Sequence, residues 1–277
     1  MPAAAQDDGI GLKVILEKLP RMYRQFVEYQ MLDIAKEPME VAPTAHYSMG
    51  GIVVDPPTHA TEIGGLYAAG ECTAGLHGAN RLGGNSLVET LVFGRRAGEA
   101  AARLSRERES QLRSKSVIDE AHADLDSLIH HGTELSRALQ RAIRDVMWER
   151  CGVVREASDL ELALGMLDEF RSVLPSVDVR PSEEGWDDLA HVLDVQAMLG
   201  TAEASLRGAI AREETRGAHN RSDFQELNPE MEVNFIVGRD SHARMMIESA
   251  PLPAVSAELT SWLGRAGDLD PAGRLLE

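Results

Sequence analysis

Cysteine is nearly absent: Cys72 and Cys151 are the only two in 277 residues. Two thiols cannot supply the usual four ligands of an iron–sulfur cluster or a zinc site, and so low a count suggests a reducing compartment. Long apolar runs are missing too. No stretch approaches the roughly 20 residues needed to cross a bilayer, and no signal peptide opens the sequence. Basic residues are outnumbered, 28 Lys and Arg against 45 Asp and Glu, for a formal net charge of −17. Such acidity argues against binding nucleic acid or an anionic membrane by bulk electrostatics, so an anionic ligand must be drawn in by local positive charge. A strand-to-helix Gly-x-Gly-x-x-Gly element is also lacking. Gly9-Ile-Gly11 has neither a third glycine nor a preceding strand, which leaves the usual pyrophosphate cradle of a dinucleotide site out of these residues.

What is present is concentrated in His77-Gly-Ala-Asn-Arg-Leu-Gly-Gly-Asn-Ser86, which runs into an apolar helical segment, Leu87 to Leu104. Ser86 followed by Glu89 predicts a capping box, with Leu87, Leu91 and Val92 starting a buried stripe. A helix N-terminus collects free N–H groups and a positive dipole end, and Gly83 and Gly84 offer no Cβ to hold a planar or anionic ligand off the backbone. Arg81, just before the glycines, carries a guanidinium fork suited to a carboxylate.

Upstream, Val14, Ile15, Leu19, Met22, Phe26, Tyr29 and Leu32 recur at helical spacing, and Pro20 predicts the start of a second helix. Pro43-Thr-Ala-His-Tyr-Ser-Met-Gly-Gly51 leads into Gly51-Ile-Val-Val-Asp55, which reads as a short strand. By residue type alone His46 is a structural hydrogen-bonder. Thr61 to Glu71 reads as a turn and a buried strand ending in Gly-Glu. Downstream, Ser105 to Ser116 is charged and linker-like. Three amphipathic segments follow, on Leu135, Leu139, Ile143, Val146 and Met147, on Leu160, Leu164, Leu167, Phe170 and Leu174, and on Leu189, Val192, Val195, Leu199, Leu206 and Ile210. They predict an antiparallel three-helix bundle. Arg216, His219, Arg221 and Asp223 are read as structural or interface residues, with Gly217 ending the long helix. Val233–Val237 and Ala243–Ile247 suggest a hairpin.

The string HGANRLGGNSL resembles a diagnostic segment of the flavoprotein subunit of succinate dehydrogenase and fumarate reductase. Related L-aspartate oxidases usually carry a different pair where this sequence has Gly83-Gly84. LEKLPRMYRQF is similar to part of that family's capping domain, and MWERCGVVR and REETRGAHNRSDF are similar to its C-terminal helical domain. The Thr61–Glu71 stretch resembles the second fingerprint of FAD enzymes.

The resemblance implies an α+β fold: a capping-domain remnant (1–42), a distal FAD-binding and substrate segment (43–104), a linker (105–118), a helical bundle (119–225) and a C-terminal extension (226–277). It implies that His46 and Arg81 bind a dicarboxylate, that Glu71, Asn85, Ser86 and Leu87 bind FAD, and that the helix end stabilises reduced flavin. No catalytic residue and no metal ligand is assigned. The reaction implied is hydride transfer between succinate or fumarate and FAD, with electrons passing to the iron–sulfur protein of a complex II-like assembly. Location would be cytoplasmic, or peripheral on the inner membrane's cytoplasmic face through partner subunits, without direct insertion. The family's segments with the flavinylated histidine and the proton-shuttling arginine are not among these residues. Two alternatives stand beside this reading: a truncated, inactive chain acting as a binding or assembly module, and a fragment of an L-aspartate oxidase-like flavoprotein.

Overall fold

In the computed structural model, residues 10–42, 46–108, 114–181 and 186–257 are described. They divide into two units, Met1–His46 and Tyr47–Glu277.

The first unit holds helix α1 (Ile10–Lys18) and helix α2 (Pro20–Gln30). Proline at the first position of α2 loses no intrahelical bond there, so the break falls at Leu19 as its position predicts. The second helix ends on Met31 in the left-handed conformation, whose N–H bonds to the carbonyl of Phe26. None of its residues is buried. The apolar spacing therefore marks the helices correctly and says nothing of what covers them.

In the second unit, helix α3 spans Asn85–Glu107, α4 Lys115–Ser127 and α5 Ser136–Arg150. Strand β1 is Val154–Arg155, α6 is Ala157–Val173, α7 is Asp187–Ala211 and β2 is Asn220–Arg221. The two-residue strands pair in parallel, and a hairpin of β3 (Val233–Arg239) and β4 (Met245–Pro251) follows. The stretch read as a linker is partly helical, since α3 continues through Glu107 and α4 starts at Lys115; 109–113 lie outside the described residues.

The core lies among α5, α6 and α7. Leu139, Ile143 and Val146 meet Leu160, Ala163 and Leu167 and the long row Val192, Val195, Leu199, Ala202, Leu206 and Ala209. These positions follow the three- and four-residue steps of one helix face, and each buried Leu, Ile or Val contributes roughly 1.5–3 kcal/mol of transfer free energy. Val177 and Val179, beyond α6, are equally buried, because Glu134 N–H bonds to Ser176 O and Asp178 N–H to Glu134 O, drawing that connection onto the bundle. Leu135, placed on the buried stripe by its spacing, is exposed: it precedes α5 in extended conformation.

Helix α7 stops at Ala211, not at Gly217. Its free terminal carbonyls are met by Arg221, whose Nη1 donates to Ala209 O at 2.6 Å and Arg212 O at 3.2 Å. That buried guanidinium is neutralised by Asp223 through two bonds of 2.7 Å. Glu214, which no local sequence pattern singles out, is fully buried and accepts from Arg212 (2.7 Å), Arg216 (2.7 and 3.0 Å) and the Asn228 N–H (2.9 Å). Burial favours its neutral form, but the Arg216, Asn228 and Arg212 hydrogen bonds together outweigh that and hold it at about 2. Burial pushes the His219 pKa down, and its ring sits 3.0 Å from Arg212 O through Nε2 and 3.0 Å from Arg155 Nη1 through Nδ1. The run from Arg212 to Asp223 thus fastens the end of α7 to β1, β2 and the hairpin, where Arg212 stacks 4.7 Å from the Phe235 ring.

Candidate functional site

Helix α3 begins differently from its predicted capping box. Its N-cap is Gly84, at φ 86, and no side chain caps it. A positive φ at that position suits glycine and would strain other residues. Among the described residues, chain neighbours aside, nothing lies within 4 Å of where a Cβ would stand on Gly83 or Gly84. Asn85 N–H turns back to Leu82 O at 3.3 Å, and the N–H groups that follow it meet no side-chain acceptor among the described residues and remain available to a ligand. Ser86 is half-buried and Asn85 exposed. Leu87 and Leu91, expected on a buried stripe, are 75% and 74% exposed, and Val92 is exposed as well.

Glu89 has a different job from the one its spacing suggests. It is 3% exposed, and its Oε2 accepts from the Tyr47 hydroxyl and lies 2.8 Å from His77 Nε2. Burial alone would raise its pKa, but the Tyr47 and His77 bonds prevail and keep it below the ordinary carboxylate value. The Tyr47 phenol is correspondingly pushed up to about 12, by burial first and by Glu89 next. Tyr47 also stands edge-on to His77 at 5.3 Å, and the Arg81 guanidinium lies over its ring at 4.5 Å. The result is one packed set: a buried carboxylate, a phenol, an imidazole and a guanidinium.

Two buried atoms of this set, Arg81 Nε and Glu89 Oε1, have no hydrogen-bond partner among the described residues. Among the described residues the Arg81 Nη1 donates to the neighbouring Leu82 O, at 3.1 Å. A guanidinium so lightly used by its own chain retains donors for an anion.

Around this set the segments read as strands are irregular. Gly51–Asp55 contributes a single parallel bridge, Ile52 to Thr73, and Thr61–Glu71 a single antiparallel one, Ala60 to Tyr67. Leu66 and Val53 are exposed. Glu71, expected at the end of a buried strand, is exposed and accepts from Ser48 N–H at 2.9 Å. His59 is the buried histidine of this region, bonded to Ala68 O at 3.0 Å and packed on Phe93. His46 closes the first unit and is exposed. The structure therefore gathers Tyr47, His77, Arg81 and Glu89 just ahead of the free α3 end that carries Asn85, Ser86 and Leu87, while His46 belongs to the other unit. Tyr47 and Glu89 escape a reading of the sequence for site residues; the tyrosine beside His46 and the acid within one turn of Ser86 are the available signals. Among the described residues no group of His, Cys, Asp and Glu is placed to hold a metal ion, and no helix is long and apolar enough to cross a membrane.

For FAD, the uncapped α3 N-terminus and the uncovered Gly83 and Gly84 fit a planar ring edge bearing acceptors. Comparison with known proteins agrees. Residues 4–87 match the family described as FAD binding domain, and residues 140–254 match the one described as fumarate reductase flavoprotein C-term. The fumarate reductase flavoprotein subunit of a Serratia species is 37% identical over 234 residues, 82% of this chain and 38% of that protein. Its counterpart in Escherichia coli is 35% identical over 234 residues, 82% of this chain and 38% of its own length. In three dimensions the chain superposes on Mycobacterium smegmatis Sdh1, solved in complex with UQ1, at a TM-score of 0.79 with 33% identity, covering 91% of this chain and 43% of that one. The chain spans about two fifths of the length of these relatives. With the motif, the helix end and both family models in agreement, it belongs to the family of succinate dehydrogenase and fumarate reductase flavoprotein subunits.

Proposed function

We propose that these residues form the distal part of an FAD-dependent dicarboxylate oxidoreductase that interconverts succinate and fumarate and hands electrons to a separate iron–sulfur subunit. One observation carries the reading: Arg81, stacked on Tyr47 with its Nε unpartnered, stands three residues before the uncapped N-terminal end of α3. A bidentate guanidinium takes one carboxylate of a four-carbon diacid and fixes its orientation. His46 keeps its role as a second carboxylate donor on the strength of its motif alone. Bound FAD supplies the hydride acceptor or donor. The N–H groups at Ser86 and Leu87, next to Asn85, whose own N–H is taken by Leu82 O, and the positive end of the α3 dipole stabilise negative charge placed against them, and among the described residues the second oxygen of Glu71 is left for a hydroxyl. The exposed apolar face of α3, with Leu87 and Leu91, is the kind of surface that the remainder of a longer flavoprotein covers. Association with a membrane would be peripheral and through partner subunits. Residues 119–225 serve as scaffold.

The test separates what the 277 residues do alone from what they do in a complete flavoprotein. Reconstituted with FAD by themselves, they should lose the flavin on dialysis and show no dye-coupled fumarate reduction, because they contain no Gly-x-Gly-x-x-Gly phosphate cradle. Firm flavin binding and turnover would show that these residues suffice. The same residues within a full-length flavoprotein should retain visible flavin absorbance and reduce fumarate. A full-length protein that binds flavin yet leaves both fumarate and succinate untouched would overturn the dicarboxylate reading.

A further inference from the structure

A turn beyond the bundle meets the loop that carries Arg81. Beyond α7, Arg216 and His219 close a tight turn with reciprocal backbone bonds, Arg216 N–H to His219 O at 2.8 Å and His219 N–H to Arg216 O at 3.0 Å. Gly217 sits in it at φ 59, and Ala218 N–H donates to Ala79 O at 2.9 Å. Ala79 is two residues before Arg81. A Cβ on Gly217 would fall well inside contact distance of Ala79 O and 2.7 Å from Ala79 Cβ. The position therefore demands glycine twice, for its backbone angle and for this approach.

We propose that the Arg216–His219 turn is a clamp that sets the position of Arg81, making Gly217 a positioning residue for dicarboxylate binding. The inference rests on the reading of Arg81 given above. The turn is well braced on its far side: Arg216 is gripped by the fully buried Glu214, and the His219 ring is fixed between Arg212 O and Arg155 Nη1. On its near side it supports the exposed residues Gly78, Ala79 and Asn80, which lie between His77, bonded to Glu89, and Arg81, stacked on Tyr47 and, among the described residues, hydrogen-bonded by its side chain to Leu82 O. Rigidity made in the helical bundle is thereby passed to a guanidinium that needs it. A displacement of the reacting groups by about 1 Å can cost on the order of 10²-fold in rate.

Gly217→Ala, compared with the control Gly208→Ala on an open face of α7, separates the possibilities. In the 277-residue chain, the Arg81 Nε–Hε signal, read by nitrogen-15 NMR, should shift in Gly217→Ala and stay in place in Gly208→Ala. In the complete flavoprotein Gly217→Ala should raise KM for succinate about tenfold or more with flavin content unchanged. An unmoved Arg81 signal overturns the clamp. A moved signal with unchanged KM upholds the clamp and instead overturns the dicarboxylate role of Arg81. A fall in kcat that merely tracks the folded fraction, at constant KM and with the Arg81 signal in place, marks Gly217 as purely structural and also overturns the clamp. Should Gly217→Ala fail to fold, the unaltered chain decides: the Ala218 amide should exchange as slowly as the core of α7, and fast exchange refutes the bond to Ala79.

Discussion

Arg81→Lys in the complete flavoprotein should lower kcat/KM for succinate on the order of 10²-fold or more while leaving flavin content as it was. A lysine keeps the positive charge and loses the fork. It cannot offer two parallel N–H donors to one carboxylate, and an ammonium stacks less well than a guanidinium over the Tyr47 ring, where Arg81 now lies 4.5 Å from the centroid. Because the contact strengthens as charge develops in the reacting diacid, the loss should fall on kcat as well as KM. Steady-state kinetics with flavin quantified in parallel checks it. A kcat/KM within twofold of the parent would remove Arg81 from the site.

Glu214→Gln should produce the largest loss of stability. The carboxylate is fully buried, and removing its charge leaves Arg216 without its carboxylate partner and Arg212 with the carbonyls of Met231 and Val233 in place of an anion. Breaking one side of a buried pair costs about 3–5 kcal/mol, and the lower end applies because both arginines retain some solvent. In a domain of this size each kcal/mol moves Tm by roughly 2–4 °C, so a drop of about 6–12 °C is expected. The effect has a pH signature. Glu214 is held at about 2 when folded against an ordinary value of 4.5, so the unfolded chain takes up this proton first as the solution is acidified. Its contribution is complete above 4.5 and is lost as pH falls from there toward 2. The Tm gap between parent and variant should therefore be widest near neutral pH and close on acidification. A gap that is small at neutral pH, or constant with pH, would show that the Glu214 cluster does not act as an ion pair.

Helices are legible in the sequence because their signal is local. Pro20 marks the start of α2, and the steps from Leu139 to Val146, Leu160 to Leu167 and Val192 to Leu206 mark three faces that bury one another. The hairpin is legible for the same reason, its two apolar runs flanking a turn in which Asp240 accepts from the His242 and Arg244 N–H groups. Periodicity states that a residue is built to be covered, not which segment covers it. Leu87 and Leu91 have the pattern of a buried stripe and are exposed here, and Thr61–Glu71 has the pattern of a strand and forms one bridge.

The loop His77–Ser86 stands out because its glycines, arginine and following helix point to one chemistry. What surrounds it does not. Glu89 reads as a capping residue because its spacing from Ser86 satisfies a local rule, whereas its actual partners Tyr47 and His77 are 42 and 12 residues away in sequence. Gly217 reads as a helix terminator for a similar reason. Its demand for glycine comes from its φ of 59 and from Ala79, the latter a contact between two segments that nothing in either one announces.

The claim at the centre of this account is that Arg81 grips a dicarboxylate. A crystal structure of the complete flavoprotein soaked with malonate tests it most directly. The expected result is one malonate carboxylate with both oxygens about 3 Å from two nitrogens of Arg81, which stays stacked on Tyr47. Malonate bound elsewhere with Arg81 turned to solvent, or no malonate at concentrations that inhibit turnover, would contradict it.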